Sequence, residues 1–175
     1  MATLTFLGTA SALGVPHLFC DCRICRRAIR LGGREIRSRT SLALDRKYRV
    51  DFNADSQWQY AATGIPAYEL EHLLLTHSHL DHIDINQVML RYPPYNAPTR
   101  LPKLTVYGNP AALARFTADP YQAARLTASR IALKDVATRK TFRAGEMRVH
   151  PIRVFHSKRE QCLNYVIEYR GRTIY

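Results

Sequence analysis

The chain contains a series of short apolar segments, several of which alternate apolar with polar residues. Runs of roughly four to eight residues that are rich in β-branched and aromatic side chains, and that end at turn-forming residues, are typical of β-strands. The predicted strands are residues 3–8, 40–44, 48–52, 72–75, 104–107, 147–154, 163–169 and 172–175. Much of the chain is therefore expected to lie in sheets.

Helical patterns occupy several intervals between these strands. Apolar residues recur at helical spacing from Ile85 to Tyr92, and the two prolines that follow end the pattern. Residues 109–110 and 119–120 are Asn-Pro and Asp-Pro pairs, which are typical of an N-cap followed by proline at the first helical position. Strands that alternate with helices predict an α/β layered fold, and residues 1–175 are expected to form one domain.

Residues 76–82 directly follow a run of three leucines and hold three histidines and an aspartate. Side chains at i and i+2 of an extended segment point the same way, so His77 and His79 are predicted to bind one cation. Asp81 and His82 would then face a neighbouring one. Imidazole and carboxylate suit zinc, iron, manganese or nickel better than calcium or magnesium. The alternative interpretation is a set of surface histidines around a helix N-terminus that Asp81 caps.

Three motifs together resemble those of the metallo-β-lactamase superfamily. Residues 77–82 match its H-x-H-x-D-H signature, and residues 6–16 (FLGTASALGVP) resemble its L-G-T-G/A-S-x-x-G-x-P opening. The C-x-C-x-x-C element at residues 20–25 resembles the branch that holds the phosphoribosyl cyclic phosphodiesterases, with tRNase Z and the pyrroloquinoline quinone accessory protein as more distant cousins. The resemblance implies an αββα four-layer sandwich, of which this chain would supply the first half and the start of the second.

The resemblance also implies a site for two divalent metal ions, zinc or manganese. The ligands would be His77, His79 and His156 for one ion, and Asp81 and His82 for the other. The last two are also the expected catalytic residues. His156 follows an alternating strand, although a histidine there is also commonly an exposed loop residue. A bridging aspartate and a further histidine would lie beyond the last residue, so the domain is expected to be incomplete at its C-terminus.

Three of the four cysteines lie close together, at Cys20, Cys22 and Cys25, and Cys162 stands apart. This arrangement is poor material for a disulfide framework and better suited to a structural zinc ion. The resemblance implies a fourth ligand from further along the chain, for which His17 is a weak local substitute. The alternative is three reduced thiols beside a helix that ends at a glycine pair.

Composition agrees with a soluble globular domain, since 46% of the 175 residues are hydrophobic. Nothing resembles a signal peptide or a membrane span, so a cytoplasmic location without a membrane partner is expected. The formal net charge of +12 favours anionic partners, either a small phosphoester or nucleic acid, although a charged run is also commonly a solvated helix face. The candidate phosphate contacts are Arg39, Arg100, Lys158 and Arg159.

The predicted reaction is hydrolysis by a metal-activated hydroxide, with a small cyclic phosphodiester or nucleotide-like molecule as substrate. Two alternatives stay open: an RNA-processing nuclease like tRNase Z, and a non-catalytic, metal-stabilised accessory protein. Because half of a sandwich would expose a sheet face, the expected partner is a second copy of the chain or a complementing C-terminal half. The proline-rich residues 92–102 are expected to form a rim near the metals.

Overall fold

The computed structural model describes residues 2–93, 95, 100–136 and 140–175. Its strands are β1 (Leu4–Gly8), β2 (Ser41–Leu44), β3 (Tyr48–Val50), β4 (His72–Leu74), β5 (Leu104–Gly108), β6 (Ile131–Asp135), β7 (Phe142–Ala144), β8 (Met147–Val154), β9 (Cys162–Tyr169) and β10 (Arg172–Ile174). Its helices are α1 (Arg23–Leu31), α2 (Ser56–Thr63), α3 (Ile85–Met89), α4 (Pro110–Ala114) and α5 (Pro120–Ala123).

The first sheet has the strand order β1-β2-β3-β4-β5-β6. β1, β2 and β3 pair antiparallel, whereas β3 to β6 run parallel and are joined by segments that contain α2 to α5. Parallel neighbours need such crossovers, because the chain must return to the same end of the sheet. The carboxyl ends of β3, β4 and β5 therefore meet at one edge, where the polar residues that follow them gather.

The second sheet is antiparallel throughout, with the order β10-β9-β8-β7. Its longest pairing joins β8 to β9, from Arg148 opposite Glu168 to Val154 opposite Cys162. Alternate residues of this hairpin point inward and pack on the first sheet. The buried cluster between the sheets includes Leu44, Tyr48, Leu74, Tyr107, Met147, Val149, Leu163, Tyr165 and Ile167.

The opposite face of the first sheet is covered by helices. The buried cluster on this side includes Leu73, Leu104 and Val106 from the strands and Ile85, Val88, Met89, Ala112, Leu113 and Phe116 from the helical segments. The described residues thus form three layers, helices on sheet on sheet, which confirms the predicted α/β fold and the expected part of an αββα sandwich. None of the described helices is long and apolar enough to cross a membrane.

The predicted helix starts at Asn109 and Asp119 are confirmed, and α3 begins at Ile85, where the predicted helical spacing begins. Asp84, Asn109 and Asp119 are the N-caps of α3, α4 and α5, and the side chain of each accepts a hydrogen bond from a backbone N–H in the first turn. Such caps replace partners that the first turn of a helix cannot supply. Proline stands at the first turn of α4 and α5, as the sequence predicted.

The sequence patterns did not predict β6, β7 or α2. β6 and β7 are short strands of 5 and 3 residues that offer little periodicity. α2 buries two polar residues, Ser56 and Gln59, so it lacks the apolar stripe by which an amphipathic helix is recognised.

The helix that follows the cysteines, α1, buries Cys25 and Ala28, whereas its Leu31 is exposed. Of the expected rim at 92–102, Pro94 and residues 96–99 lie outside the described residues.

Candidate metal centre

Three imidazoles converge where the carboxyl ends of β4 and β8 approach each other. His77 and His79 follow β4, and His156 follows β8. One nitrogen of each ring lies within 4.8 Å of those of the other two. A hydrogen bond of 2.9 Å from the Leu163 N–H to the Thr76 carbonyl ties the second sheet to the first beside these rings.

His77 is the buried member of the trio. Its Nδ1 lies 3.0 Å from the Thr76 hydroxyl, and its Nε2 is a buried atom without a hydrogen-bond partner among the described residues. Burial, with the nearby charge of His82 adding to it, lowers the pKa of His77 to about 4. The ring is therefore neutral at physiological pH and keeps a lone pair. A divalent metal fits these residues, because it would supply the partner that the buried nitrogen lacks.

Asp81 and His82 lie beside the trio, with the rings of His82 and His77 4.0 Å apart. His82 Nδ1 is 2.6 Å from Asp51 Oδ2, and its Nε2 is 3.3 Å from Asp81 Oδ2. Burial tends to lower the pKa of His82, but the hydrogen bond and the charge of Asp51 outweigh it and raise that pKa. Because an ionised carboxylate can only accept, Asp51 fixes which ring nitrogen carries the proton.

Asp51, a buried carboxylate directly after β3, is not among the site residues that the sequence motifs predicted. Its backbone is left-handed, with φ 58°, and its Oδ1 accepts a hydrogen bond of 2.8 Å from the Thr76 N–H. An acidic residue at the end of an apolar strand is a signal that the sequence contains. What the sequence does not show is that β3 lies beside β4, which brings this carboxylate to His82.

Glu160, in the β8–β9 loop, is a second site residue that the sequence motifs did not predict. Its carboxylate accepts hydrogen bonds from the Ser78 hydroxyl at 2.6 Å, the Ser78 N–H at 3.0 Å and the Asn109 amide at 3.1 Å. Burial tends to raise the pKa of Glu160, but these hydrogen bonds outweigh it and lower that pKa. Ser78 and Glu160 are 82 residues apart, so no local pattern indicates this contact.

The three clustered cysteines form a second group, with sulfur atoms within 4.8 Å of one another. Cys22 is the N-cap of α1, and hydrogen bonding, first from the Cys25 N–H and then from Cys20, lowers the pKa of its thiol to about 7. The backbone N–H of His17 donates a hydrogen bond to Cys25 Sγ at 3.4 Å. Among the described residues, the ring of His17 does not belong to the group of possible metal ligands that the three sulfurs form. Three close sulfurs, one of low pKa, suit a zinc ion.

The predicted substrate contacts lie in different surroundings. Arg39 forms an ion pair of 2.6 Å with Asp55, and its Nε donates to a loop carbonyl, so its guanidinium already joins the N-terminal loop to the start of α2. Arg100, Lys158 and Arg159 are exposed. The last two belong to the loop that carries His156. Their contact with substrate stays a prediction, as do the ligand roles of the histidines and cysteines.

Comparisons with known proteins identify the family and the fold of the chain. Residues 54–175 match the family described as the beta-lactamase superfamily domain. The chain is 27% identical over 168 residues to an octanoyltransferase from Porphyromonas gingivalis. The matched region covers 87% of this chain and 30% of that protein. Its fold is similar to a diphosphatase of the PhnP family (TM-score 0.72, 23% identity, 95% of this chain and 61% of that chain). It is also similar to zinc-bound PqqB from Methylobacterium extorquens (TM-score 0.77, 19% identity, 99% of this chain and 63% of that chain).

This chain spans less than two thirds of the length of each of these relatives. The structural likenesses show a shared fold, and the family match extends over more than half of the chain. The resemblance seen in the sequence motifs is thereby confirmed. The chain belongs to the beta-lactamase superfamily domain family and has the metallo-β-lactamase fold.

Proposed function

We propose that this chain carries the metal centre of a phosphodiesterase that acts on a small cyclic phosphodiester or nucleotide-like substrate. The fold family is one of metal-dependent hydrolases. The observation that carries the proposal is the buried, neutral His77, whose Nε2 lacks a partner among the described residues and faces two further imidazoles. Packing leaves that atom unsatisfied, whereas a catalytic metal site with three protein ligands explains it.

The chain's own residues divide the work of the site. His77, His79 and His156 would hold a first zinc or manganese ion, and Asp81 and His82 would hold a second. When bound, two divalent ions would supply a hydroxide nucleophile at neutral pH and would offset the negative charge that develops on the substrate. Asp51 would hold the His82 ring in the tautomer that leaves Nε2 available for binding.

A phosphoester substrate agrees with the charge of the protein and of the site's rim. The net charge of +12 attracts anions. Beside His156, the end of β8 and the β8–β9 loop present Arg153, Lys158 and Arg159 around an open cleft of about 400 Å³, with Phe155 exposed next to them. Cationic groups there would bind phosphate oxygens, and an aromatic ring would contact a base.

The test combines metal content with turnover. Protein purified without chelator should contain zinc or manganese, and His79→Ala should lose the metal of the first site and most of the hydrolysis of bis(p-nitrophenyl) phosphate, while zinc at the cysteine cluster is retained. His150→Ala is the matched control, because His150 bonds Thr141 and Glu168 on the second sheet rather than the trio. Metal content that is unchanged in His79→Ala would contradict the proposal.

The same preparation separates the alternatives. A metal-loaded protein that cleaves a tRNA precursor but not cyclic phosphodiesters would favour the nuclease. Bound metal without turnover of either substrate would favour an accessory protein.

We also propose that Cys20, Cys22 and Cys25 hold a structural zinc ion in a reducing compartment such as the cytoplasm. All four cysteines of the chain are free thiols. Modifying the clustered thiols should release zinc in step with their titration, and Cys22→Ser should lower the zinc content. Cys162→Ser is the control, because Cys162 is buried far from the cluster in sequence and outside its sulfur group. Three reactive thiols without zinc release would contradict this proposal.

We propose, finally, that a partner covers the free edge of β10, either a second copy or a complementing C-terminal half. Within the described residues, the first sheet has six strands and the second four. Leu4 and Phe6 of β1 remain exposed, at 39% and 65%, and a cavity of about 410 Å³ runs from Ile174 to Asp51 and His82. An apolar sheet surface that is exposed to solvent favours association with another protein chain. Light scattering should show concentration-dependent mass that falls in Phe6→Ser, and a monomer unaffected by this change would contradict the proposal.

A further inference from the structure

The three histidines come from two loops. One of these loops, between β8 and β9, is held in place by contacts with residues outside it. The β8–β9 loop that carries His156 is largely exposed, including Phe155 at 93%, Lys158 and Arg159. Apolar burial therefore contributes little to its position. Polar contacts to the rest of the chain must hold His156 close to the other two rings.

Glu160 provides these contacts. One carboxylate oxygen accepts the Ser78 hydroxyl at 2.6 Å, and the other accepts the Ser78 N–H at 3.0 Å. Ser78 stands between His77 and His79 in the sequence. The loop that carries His156 is thus joined to the middle of the segment that carries the other two histidines.

Asn109 adds a third attachment from the end of β5. It is buried, and its Oδ1 accepts the Ala112 N–H at 2.8 Å as the N-cap of α4. With its oxygen engaged, its amide nitrogen must point the other way, where it donates to Glu160 at 3.1 Å and to the Gln161 carbonyl at 2.5 Å. The helix cap therefore orients the donor that holds this loop.

We infer that Glu160 is a positioning residue, which holds His156 against His77 and His79 and so sets the metal affinity of the first site. The inference rests on the proposed metal centre. Glu160 is not itself a ligand in this account, because both of its oxygens are engaged by Ser78 and Asn109. Outer contacts that orient ligands typically change metal affinity by about 10- to 100-fold.

The test measures zinc affinity by competition with a chromogenic chelator. Glu160→Ala should bind zinc about 10- to 100-fold more weakly than the wild type. Glu160→Gln, which keeps one acceptor oxygen, should show a smaller loss. Glu168→Ala is the matched control, since Glu168 is a half-exposed carboxylate on β9 that bonds His150 and Arg148 away from the trio. Thermal melts establish that each variant is folded.

A double-mutant cycle with His156→Ala identifies the route of the effect. If Glu160 acts by holding His156, then Glu160→Ala should add little once His156 is gone. In metal-free protein, hydrogen exchange of the Ser78 amide should be slow in the wild type and faster in Glu160→Ala. Equal affinities of the wild type and Glu160→Ala, or full additivity with His156→Ala, would overturn the inference alone. A wild type that binds zinc no more tightly than His79→Ala would overturn the metal centre and this inference together.

Discussion

At the scale of single residues, Asp51 is the group on which most of the site's internal order depends. Its carboxylate contacts both His82 and Thr76, and Thr76 in turn contacts His77. Arg49, which is also buried, donates from Nε to the Asp51 carbonyl at 2.8 Å. A buried carboxylate is tolerated here because several donors offset the loss of its hydration.

Asp51→Asn is expected to weaken metal binding by about 10- to 100-fold. Asparagine tolerates the left-handed backbone, so the change acts on the side chain, where an NH2 group would replace an acceptor facing His82 and Thr76. Chelator competition measures the effect. Asp135→Asn, at the exposed end of β6, is the matched control and should bind metal as the wild type does. Equal affinity for the two variants would show that Asp51 does not support the site.

At the scale of elements, Gly8 governs how the N-terminal loop joins the first sheet. The pairing of β1 with β2 shifts between Phe6 and Gly8, after which the loop pairs with residues 37–39. A Cβ on Gly8 would lie 2.0 Å from the Arg39 carbonyl oxygen. The close approach that places the cysteine cluster therefore requires glycine at this position.

Gly8→Ala is expected to lower the free energy of unfolding by about 3 kcal/mol or more, because the backbone of one element must move. The displaced loop should also make the three clustered thiols react faster with a thiol reagent. Gly108→Ala, at the end of β5, is the control: its new Cβ would come no closer than 3.3 Å to a neighbour. Urea unfolding and thiol kinetics measure both effects, and similar values for the two variants would contradict this account.

At the scale of the whole molecule, Asp45 connects the turn after β2 to the second sheet. It accepts hydrogen bonds from the Thr3 N–H at 2.7 Å and the Tyr169 hydroxyl at 2.8 Å, and its Oδ2 is 3.3 Å from Arg170 Nη1. Burial tends to raise the pKa of Asp45, but these contacts outweigh it and lower that pKa. The ionised carboxylate therefore helps to hold the two sheets together.

The stabilisation from Asp45 should depend on pH with a definite sign. A folded-state pKa below the unfolded value of about 3.9 means that the contribution is present above about pH 4 and is lost as the pH falls through the folded pKa. Asp45→Asn should therefore be less stable than the wild type near neutral pH, and the difference should shrink in acid. Urea unfolding over a range of pH measures it, and a difference that is constant down to about pH 3 would contradict the assignment.

Local sequence was sufficient for much of the fold and for the core of the candidate site. The strand segments, the caps at Asn109 and Asp119 and the shared side of His77 and His79 depend on residues a few positions apart. Backbone periodicity and capping chemistry act over that range, so they can be recognised in the sequence.

Strand order and the approach of the two sheets were decided only in three dimensions. They bring Asp51 to His82 across neighbouring parallel strands, and Glu160 to Ser78 across 82 residues. They also give Arg39 an ion pair with Asp55 that its residue type does not indicate. Contacts of this kind depend on which strands become neighbours, and that is determined by burial of the whole core rather than by any local pattern.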